Sequence, residues 1–315
     1  PNLTWRNGEG RVVSNETTYC ADEKMLKELR FANMELLENY RTYIDYVSLP
    51  FIVVKGIPKK LNFKMFTARC KLFPLCVGRG CAFNCSWCSG SFTPQKEYIS
   101  CRNKVVWRPY DGVIADIRRA LSYGYEAMYT VFDPTPDNQD YFVGLFRRIR
   151  AEGLEKKLGW MHEATGVTSK EFVDEFAQTF SEDYRVIALS PESGNEGIRR
   201  RNKGYFSSNA EYLEMLDYIT SKKVNVEVFF TYGIPGENEE LIKLNLRLFE
   251  ESKYNGNYTM KFSAEAIQLI SAMYEKIDKQ PYRSFVQKCN AHSPWIWKDP
   301  RLWLTIRFWK NLLDL

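Results

Sequence analysis

Between positions 71 and 270 the chain repeats one local pattern: a short apolar run, a polar turn, then a segment with helical spacing. The apolar runs are "KLFPLCVGRG", "AMYTVFD", "KLGWMHEA", "RVIALSPESG", "NVEVFFTYGIPGE" and "MKFSAEAIQLI". Between them stand "IADIRRALSYGY", "DYFVGLFRRIRAEG", "TSKEFVDEFAQTF", "SSNAEYLEMLDYITSKK" and "NEELIKLNLRLFEES". Mainly apolar strands, each followed by an amphipathic helix, predict a parallel sheet covered by helices. Punctuation agrees: Gly153 closes one helix, Thr168 or Ser169 opens the next before acidic residues, and Pro134 stops the strand that ends at Asp133. Six such steps predict an α/β fold, a partial (β/α)6 TIM-like barrel. In barrels and open parallel sheets, function gathers at the carboxyl ends of the strands. Cys81, Asp133, His162, Glu192 and Gly233 fall there.

Upstream, "PNLTWRNGEGRVVSN" reads as two short strands around a turn, and the first residue is Pro1 rather than Met, which predicts a piece of a longer protein. The expected division is an N-terminal linker and helical segment over 1–68, the barrel over 69–272 and a C-terminal helical extension over 273–315. The Trp-rich end "HSPWIWKDPRLWLTIRFWKNLLDL" looks cut short. Neither a signal-peptide pattern nor an apolar run of spanning length occurs, so a soluble, cytoplasmic protein without a membrane partner is expected. The net charge of +5 is modest, and clusters such as "IRRRNKG" read as solvated helix faces and loops rather than a nucleic-acid footprint.

Eight cysteines in 315 residues are too few and too unevenly placed for a disulfide framework, so a reducing compartment is expected. Three of them, Cys81, Cys85 and Cys88, lie in "VGRGCAFNCSWCSGS" with the spacing C-x3-C-x2-C. Soft thiolates suit zinc or an iron–sulfur cluster. Structural zinc is normally closed by four ligands, yet this loop offers one C-x2-C and no nearby histidine. A 4Fe–4S cluster on three cysteines leaves one iron open for a substrate or cofactor. The alternatives are zinc completed by a distant residue, or plain buried thiols.

"CAFNCSWC" resembles the C-x3-C-x-aromatic-C signature of the radical S-adenosylmethionine (radical SAM) superfamily. "GRGCAFNCSWCS", "PESGNEGI…NKG" and "YGIPGE" are similar to the subgroup whose members carry an N-terminal cobalamin-binding domain, and the opening "PNLTWRNGEGRVV" resembles the segment after that domain. The resemblance implies a 4Fe–4S cluster on Cys81, Cys85 and Cys88. Its open iron would chelate the amino and carboxylate groups of SAM, which one electron then cleaves to methionine and a 5′-deoxyadenosyl radical.

Carried over residue by residue, it implies cofactor contacts at Phe83 and at Trp87, the aromatic before the last cysteine. Asp133 takes the place of an acid near the SAM amino group; relatives often have a second acid next, where this chain has Pro134, which leaves Asp137 as the competing position. Glu192 and Ser193 of "SPESG" match the Glu-Ser near the SAM ribose or methionine. Tyr232, Gly233, Ile234 and Pro235 match the segment whose backbone meets the adenine. His162 and Glu163 are expected to face the substrate and act in proton transfer.

The implied function is a radical SAM enzyme, cobalamin-dependent and methylating an unactivated carbon of a small molecule or peptide. It would work with the preceding cobalamin domain and an electron donor such as flavodoxin or ferredoxin. The competing readings are rearrangement, cyclisation or oxidation without methyl transfer, and an iron–sulfur electron-transfer or structural metal protein. A methylthiotransferase-like RNA modifier would want a further three-cysteine site, for which Cys20, Cys70 and Cys76 lack the spacing.

Overall fold

The computed structural model describes residues 3–15, 19–46, 71–88, 90–98, 104–130, 140–232, 236 and 258–264. Near the start, β1 (Thr4–Arg6) and β2 (Val12–Ser14) pair antiparallel around a turn that contains Gly10, at φ +76°. Helix α1 (Glu23–Glu28) follows, capped by the Asp22 carboxylate, and then α2 (Tyr40–Tyr46). The barrel elements come next in chain order: β3 (Leu72–Pro74), β4 (Gly78–Arg79), α3 (Phe92–Tyr98), β5 (Val106–Trp107), α4 (Tyr110–Ser122), β6 (Ala127–Thr130), α5 (Asp140–Ala151), β7 (Gly159–Ala164), α6 (Lys170–Thr179), β8 (Arg185–Glu192), α7 (Glu196–Asn202), α8 (Asn209–Ser221), β9 (Asn225–Tyr232) and β10 (Tyr258–Ala264).

Six strands form one parallel sheet in the order β10-β9-β8-β7-β6-β3, with β10 and β3 as its edges. All six expected strands are in it, in sequence order, as a right-handed β/α winding requires of a partial barrel. The helix starts follow local chemistry. Ser169 caps α6 by accepting from the Phe172 amide, and Ser208 with Glu211 forms a capping box at α8. Gly153 ends α5 at φ +67°, a conformation that glycine adopts without a Cβ penalty.

The two faces of the sheet differ. Outward, Met128, Trp160, Ile187, Leu189, Val226 and Phe230 pack against the helices in the main core. Phe146 of α5 is its hub, with ring centroids 5.1–6.2 Å from Phe142, Phe172, Phe176, Phe180 and Trp160, mostly edge to face. Inward, Met161, Val186 and Ala188 form a small separate cluster with Tyr129 and Phe229. Strand alternation of period two dictates this sorting.

A buried guanidinium helps hold the N-terminal segment to the barrel. Arg108, 1% exposed, pairs with Asp116 at 2.8 Å and donates to the carbonyls of Leu26, Leu29, Cys76 and Gly112. Phe31 lies against the same guanidinium at 4.5 Å, and the Ala32 amide donates to Asp116. Among the described residues, no helix is long and apolar enough to cross a membrane.

Candidate functional site

The cysteine loop leaves the sheet through β4, which pairs with β5 only because Gly78 and Gly80 lack side chains. A Cβ at Gly80 would lie 2.6 Å from the Lys104 carbonyl oxygen, and its φ of +96° also favours glycine. Cys81, Cys85 and Cys88 are free thiols, each partly buried. Two sulfurs accept backbone N–H groups: Cys81 from Phe83 at 3.4 Å, and Cys85 from Gly204 at 3.3 Å. The loop turns at Ser86–Trp87, closed by the Cys88 amide on the Cys85 carbonyl. Phe83 and Trp87 are both buried, Phe83 beside the Tyr205 ring at 5.8 Å.

Of the other described cysteines, Cys76 is a free thiol that accepts from Arg79 at 3.0 Å. Cys20 is disulfide-bonded, one crosslink in a chain whose cysteines were expected reduced.

Opposite the loop stands the turn after β8. Glu192 sits at φ +64°, a left-handed conformation rare for a residue with a side chain, and the Ser193 amide closes back on the Pro191 carbonyl at 2.7 Å. The strand is irregular there, its register shifting between Leu189 and Glu192. Ser193 is fully buried. The strain is sustained by Arg199, itself 1% exposed, which donates to the carbonyls of Pro191, Ser193 and Ser207 and to Asn209 Oδ1. Burial lowers the Arg199 pKa, and the Tyr212 ring stacks 4.9 Å from its guanidinium.

Lys203 joins the two halves. Its ammonium, with the side chain 1% exposed, pairs with Glu192 at 3.2 Å and also donates to the Ser190 carbonyl. Burial opposes that charge, but Glu192, Tyr212 and the Cys85 sulfur outweigh it and raise the Lys203 pKa. At Cys85 burial pushes the thiol up, against the pull of Lys203 and the Gly204 N–H. Just before Lys203, the Asn202 carbonyl accepts from the Ser86 amide at 2.8 Å, and Asn202 Oδ1 accepts from the Ser86 hydroxyl at 3.1 Å.

The inner face of the barrel carries a second polar group. Tyr129 donates a short hydrogen bond to Glu163 Oε1. Burial, then Glu163 and Glu227, push the Tyr129 phenol well above its ordinary range. Glu163, Ala188 and Glu227 share one row across β7, β8 and β9. His162 does not join them. Alternation turns its ring outward into the helix layer, fully buried between Phe142 and Phe172, with Nδ1 2.9 Å from Thr130 Oγ1. Thr130 also accepts from Trp160 Nε1, so His162 belongs to a packed polar triad on the side away from the inner face.

The structure thus brings Phe83, Trp87 and, through Lys203, Glu192 into the surroundings of the cysteines, with Ser193 next in the same turn. Asp133, with its competitor Asp137, and Gly233, Ile234 and Pro235 lie outside the described residues, as does the side chain of Tyr232. Sequence reading missed Asn202, Lys203 and Gly204, because a basic run at a helix end ordinarily faces solvent. It also missed Tyr129 and Glu227.

The donor set fits an iron–sulfur cluster: three free thiols in one loop, N–H groups aimed at two sulfurs, and a cradle at Gly204 that any Cβ would fill, 2.3 Å from the Asn84 nitrogen. Among the described residues no group of three or more His, Cys, Asp or Glu side chains is arranged to hold a metal ion.

The chain is similar to several known proteins. Curated relatives include the tRNA-2-methylthio-N(6)-dimethylallyladenosine synthases of Geobacter sulfurreducens, 23% identical over 66% of this chain and 46% of the relative, and of Geobacter metallireducens, 24% identical over 64% and 45%. The chain therefore spans less than half the length of these relatives. Among solved structures, the radical S-adenosylmethionine methyltransferase TsrM from Kitasatospora setae, with tryptophan substrate and a SAM analogue bound, superposes with a TM-score of 0.55 at 16% identity, covering 73% of this chain and 43% of that one. The family model for the radical SAM superfamily matches residues 75–249, more than half of the sequence and the whole of the site just described, and the chain belongs to that superfamily.

Proposed function

We propose that this chain is the catalytic barrel of a cobalamin-dependent radical SAM enzyme that methylates an unactivated carbon of a small molecule or peptide. The observation that carries the SAM-cleaving part is the loop of three free thiols, one of them tied by an N–H···S bond to the segment that pairs with Glu192. Cys81, Cys85 and Cys88 would hold the 4Fe–4S cluster. When bound, that cluster supplies the electron that cleaves SAM to methionine and a 5′-deoxyadenosyl radical. An external donor such as flavodoxin or ferredoxin would replenish it.

The chain's own residues do the rest by position and charge. Phe83 and Trp87 shield the cysteine loop from water, which strengthens every electrostatic contact inside it. Glu192, Ser193, Asp133 and the segment Tyr232, Gly233, Ile234 and Pro235 would contact SAM, with Lys203 paired to the Glu192 carboxylate. Glu163, hydrogen-bonded to Tyr129 on the inner face, is the group placed to hold or move a proton at the substrate.

Cobalamin and methyl transfer draw support from the TsrM structure determined with cobalamin and a [4Fe-4S] cluster bound, at 16% identity. The names of the curated relatives favour a second reading, methylthiolation of a tRNA base. Rearrangement or oxidation without methyl transfer is a third outcome of the same chemistry.

The test is anaerobic reconstitution of the protein with iron and sulfide, followed by electron paramagnetic resonance with and without SAM and an assay for 5′-deoxyadenosine. A reduced-cluster signal that shifts with SAM, together with 5′-deoxyadenosine, supports the first step. Zinc in place of iron, or a signal indifferent to SAM, overturns it. Copurifying cobalamin favours C-methylation; a second cluster and a methylthiolated tRNA favour the other reading.

A further inference from the structure

We infer that residues 199–204 form a brace, with Arg199 and Gly204 as positioning residues, which fixes the middle cysteine of the cluster loop at a set place relative to the strained turn at Glu192. The inference rests on the proposed use of Cys81, Cys85 and Cys88 as cluster ligands.

Among the described residues, bonds from the brace reach the centre of the cysteine loop: Gly204 N–H to Cys85 Sγ, Ser86 N–H to the Asn202 carbonyl, and the Ser86 hydroxyl to Asn202 Oδ1. Asn202 is itself oriented by donating from Nδ2 to the Ile198 carbonyl at 3.0 Å. The contact is so close that a Cβ at 204 would lie 2.3 Å from the Asn84 nitrogen, 2.7 Å from Phe83 Cβ and 3.0 Å from the Cys85 nitrogen. Two of these three atoms are backbone and the third is a Cβ, so no flexible side-chain end can swing aside. Glycine stands there to allow two backbones to touch.

At the other end, Arg199 spends its donors on four acceptors around the turn, and no shorter or monodentate side chain could reach them all. Lys203, between the two ends, turns the opposite way from its neighbours and pairs with Glu192. The brace therefore ties Cys85 and Glu192 into one unit. Two consequences follow. With the cluster bound, the N–H···S bond and the nearby ammonium would stabilise negative charge on the Cys85 sulfur and raise the reduction potential. The turn that carries Glu192 and Ser193 is held at a set place relative to Cys85, which would set SAM affinity once the cysteines hold the cluster.

The experiment compares the full chain with Gly204→Ala, Asn202→Ala and Arg199→Lys, each checked for native circular dichroism and reconstituted anaerobically. Outer-shell losses of this kind cost about 10-fold to 100-fold in affinity. Gly204→Ala is expected to lose cluster iron or, in what cluster forms, to shift the midpoint potential negative. Arg199→Lys should keep its iron while the SAM concentration needed for the spectral shift rises by about tenfold, with the 5′-deoxyadenosine rate at saturating SAM retained. A merely structural arginine would instead lower iron, melting temperature and rate together.

If Gly204→Ala does not fold, Asn202→Ala carries the same expectation for iron and potential. Wild-type iron and potential in the folded brace variants, or wild-type SAM affinity in Arg199→Lys, overturns the brace. Should the wild-type chain bind no cluster, the cluster reading fails, and the brace is read separately by thiol alkylation and mass spectrometry. Cys85 should then react slower than Cys81 in the wild type and lose that protection in Gly204→Ala; equal rates in the two proteins overturn it.

Discussion

The buried ion pair between Lys203 and Glu192 gives the sharpest energetic prediction. Its side chains are 1% and 16% exposed and its charges 3.2 Å apart. Removing one partner of a buried pair costs about 3–5 kcal/mol, because the other charge is left without compensation. Here the orphan in Lys203→Met is Glu192, which keeps some contact with solvent, so the loss belongs at the lower end, about 3 kcal/mol. At an unfolding entropy of about 2.1 cal/mol/K per residue, a chain of 315 residues shifts by about 1.5 °C per kcal/mol, so the variant should melt about 4–5 °C lower.

The double variant Lys203→Met, Glu192→Gln removes both charges and should regain most of that loss, since replacing a whole buried pair is often close to neutral. Glu192→Gln alone strands an ammonium with almost no solvent and should cost at least as much as Lys203→Met. The assay is thermal and urea unfolding of all four proteins without added metal, read as a double-mutant cycle. Strict additivity in the double variant, or a Lys203→Met melting point within about 2 °C of wild type, would refute the claim that the two charges depend on each other.

Three further outcomes are expected. Asp116→Ala strands the buried Arg108 guanidinium and should cost about 3–5 kcal/mol, with early proteolysis within residues 19–46 as the specific sign that the N-terminal segment has come loose. Phe146→Ala empties the hub of the aromatic core and should cost about 3–5 kcal/mol in urea unfolding, while Phe146→Leu should recover much of it. Glu175 is held below its ordinary 4.5: burial works the other way, but hydrogen bonds from Arg150 and Arg147 prevail. A depressed carboxylate stabilises fully above its unfolded pKa and loses that contribution as pH falls through the folded one, so wild type should lose melting temperature faster than Glu175→Gln between about pH 5 and pH 3. Parallel curves would count against it.

Much of the fold was legible because it rests on local periodicity. All six strands of the sheet, the helix caps at Ser169 and Ser208 and the stop at Gly153 are decisions made within a few residues. The cysteine spacing was equally legible, since three soft ligands in one loop restrict the chemistry whatever surrounds them. The basic run "IRRRNKG" was misleading for an identifiable reason: Arg200 and Arg201 do face solvent as charge patterning suggests, while Arg199 and Lys203, in the same seven residues, are buried by what they meet.

Sequence by itself determined the parallel α/β winding, the order of its strands and the three-thiol loop after the first of them, because period, turn chemistry and ligand spacing are properties of short segments. Tertiary structure decided which way each neighbour faces. Adjacent residues on a strand point to opposite sides, and only the packed helices fix that His162 lies in their layer while Glu163 meets Tyr129 on the inner face. It also decided that Gly204 touches Cys85 across 119 residues of sequence, a contact written in no local pattern and enforced by two backbones that close only where a side chain is missing.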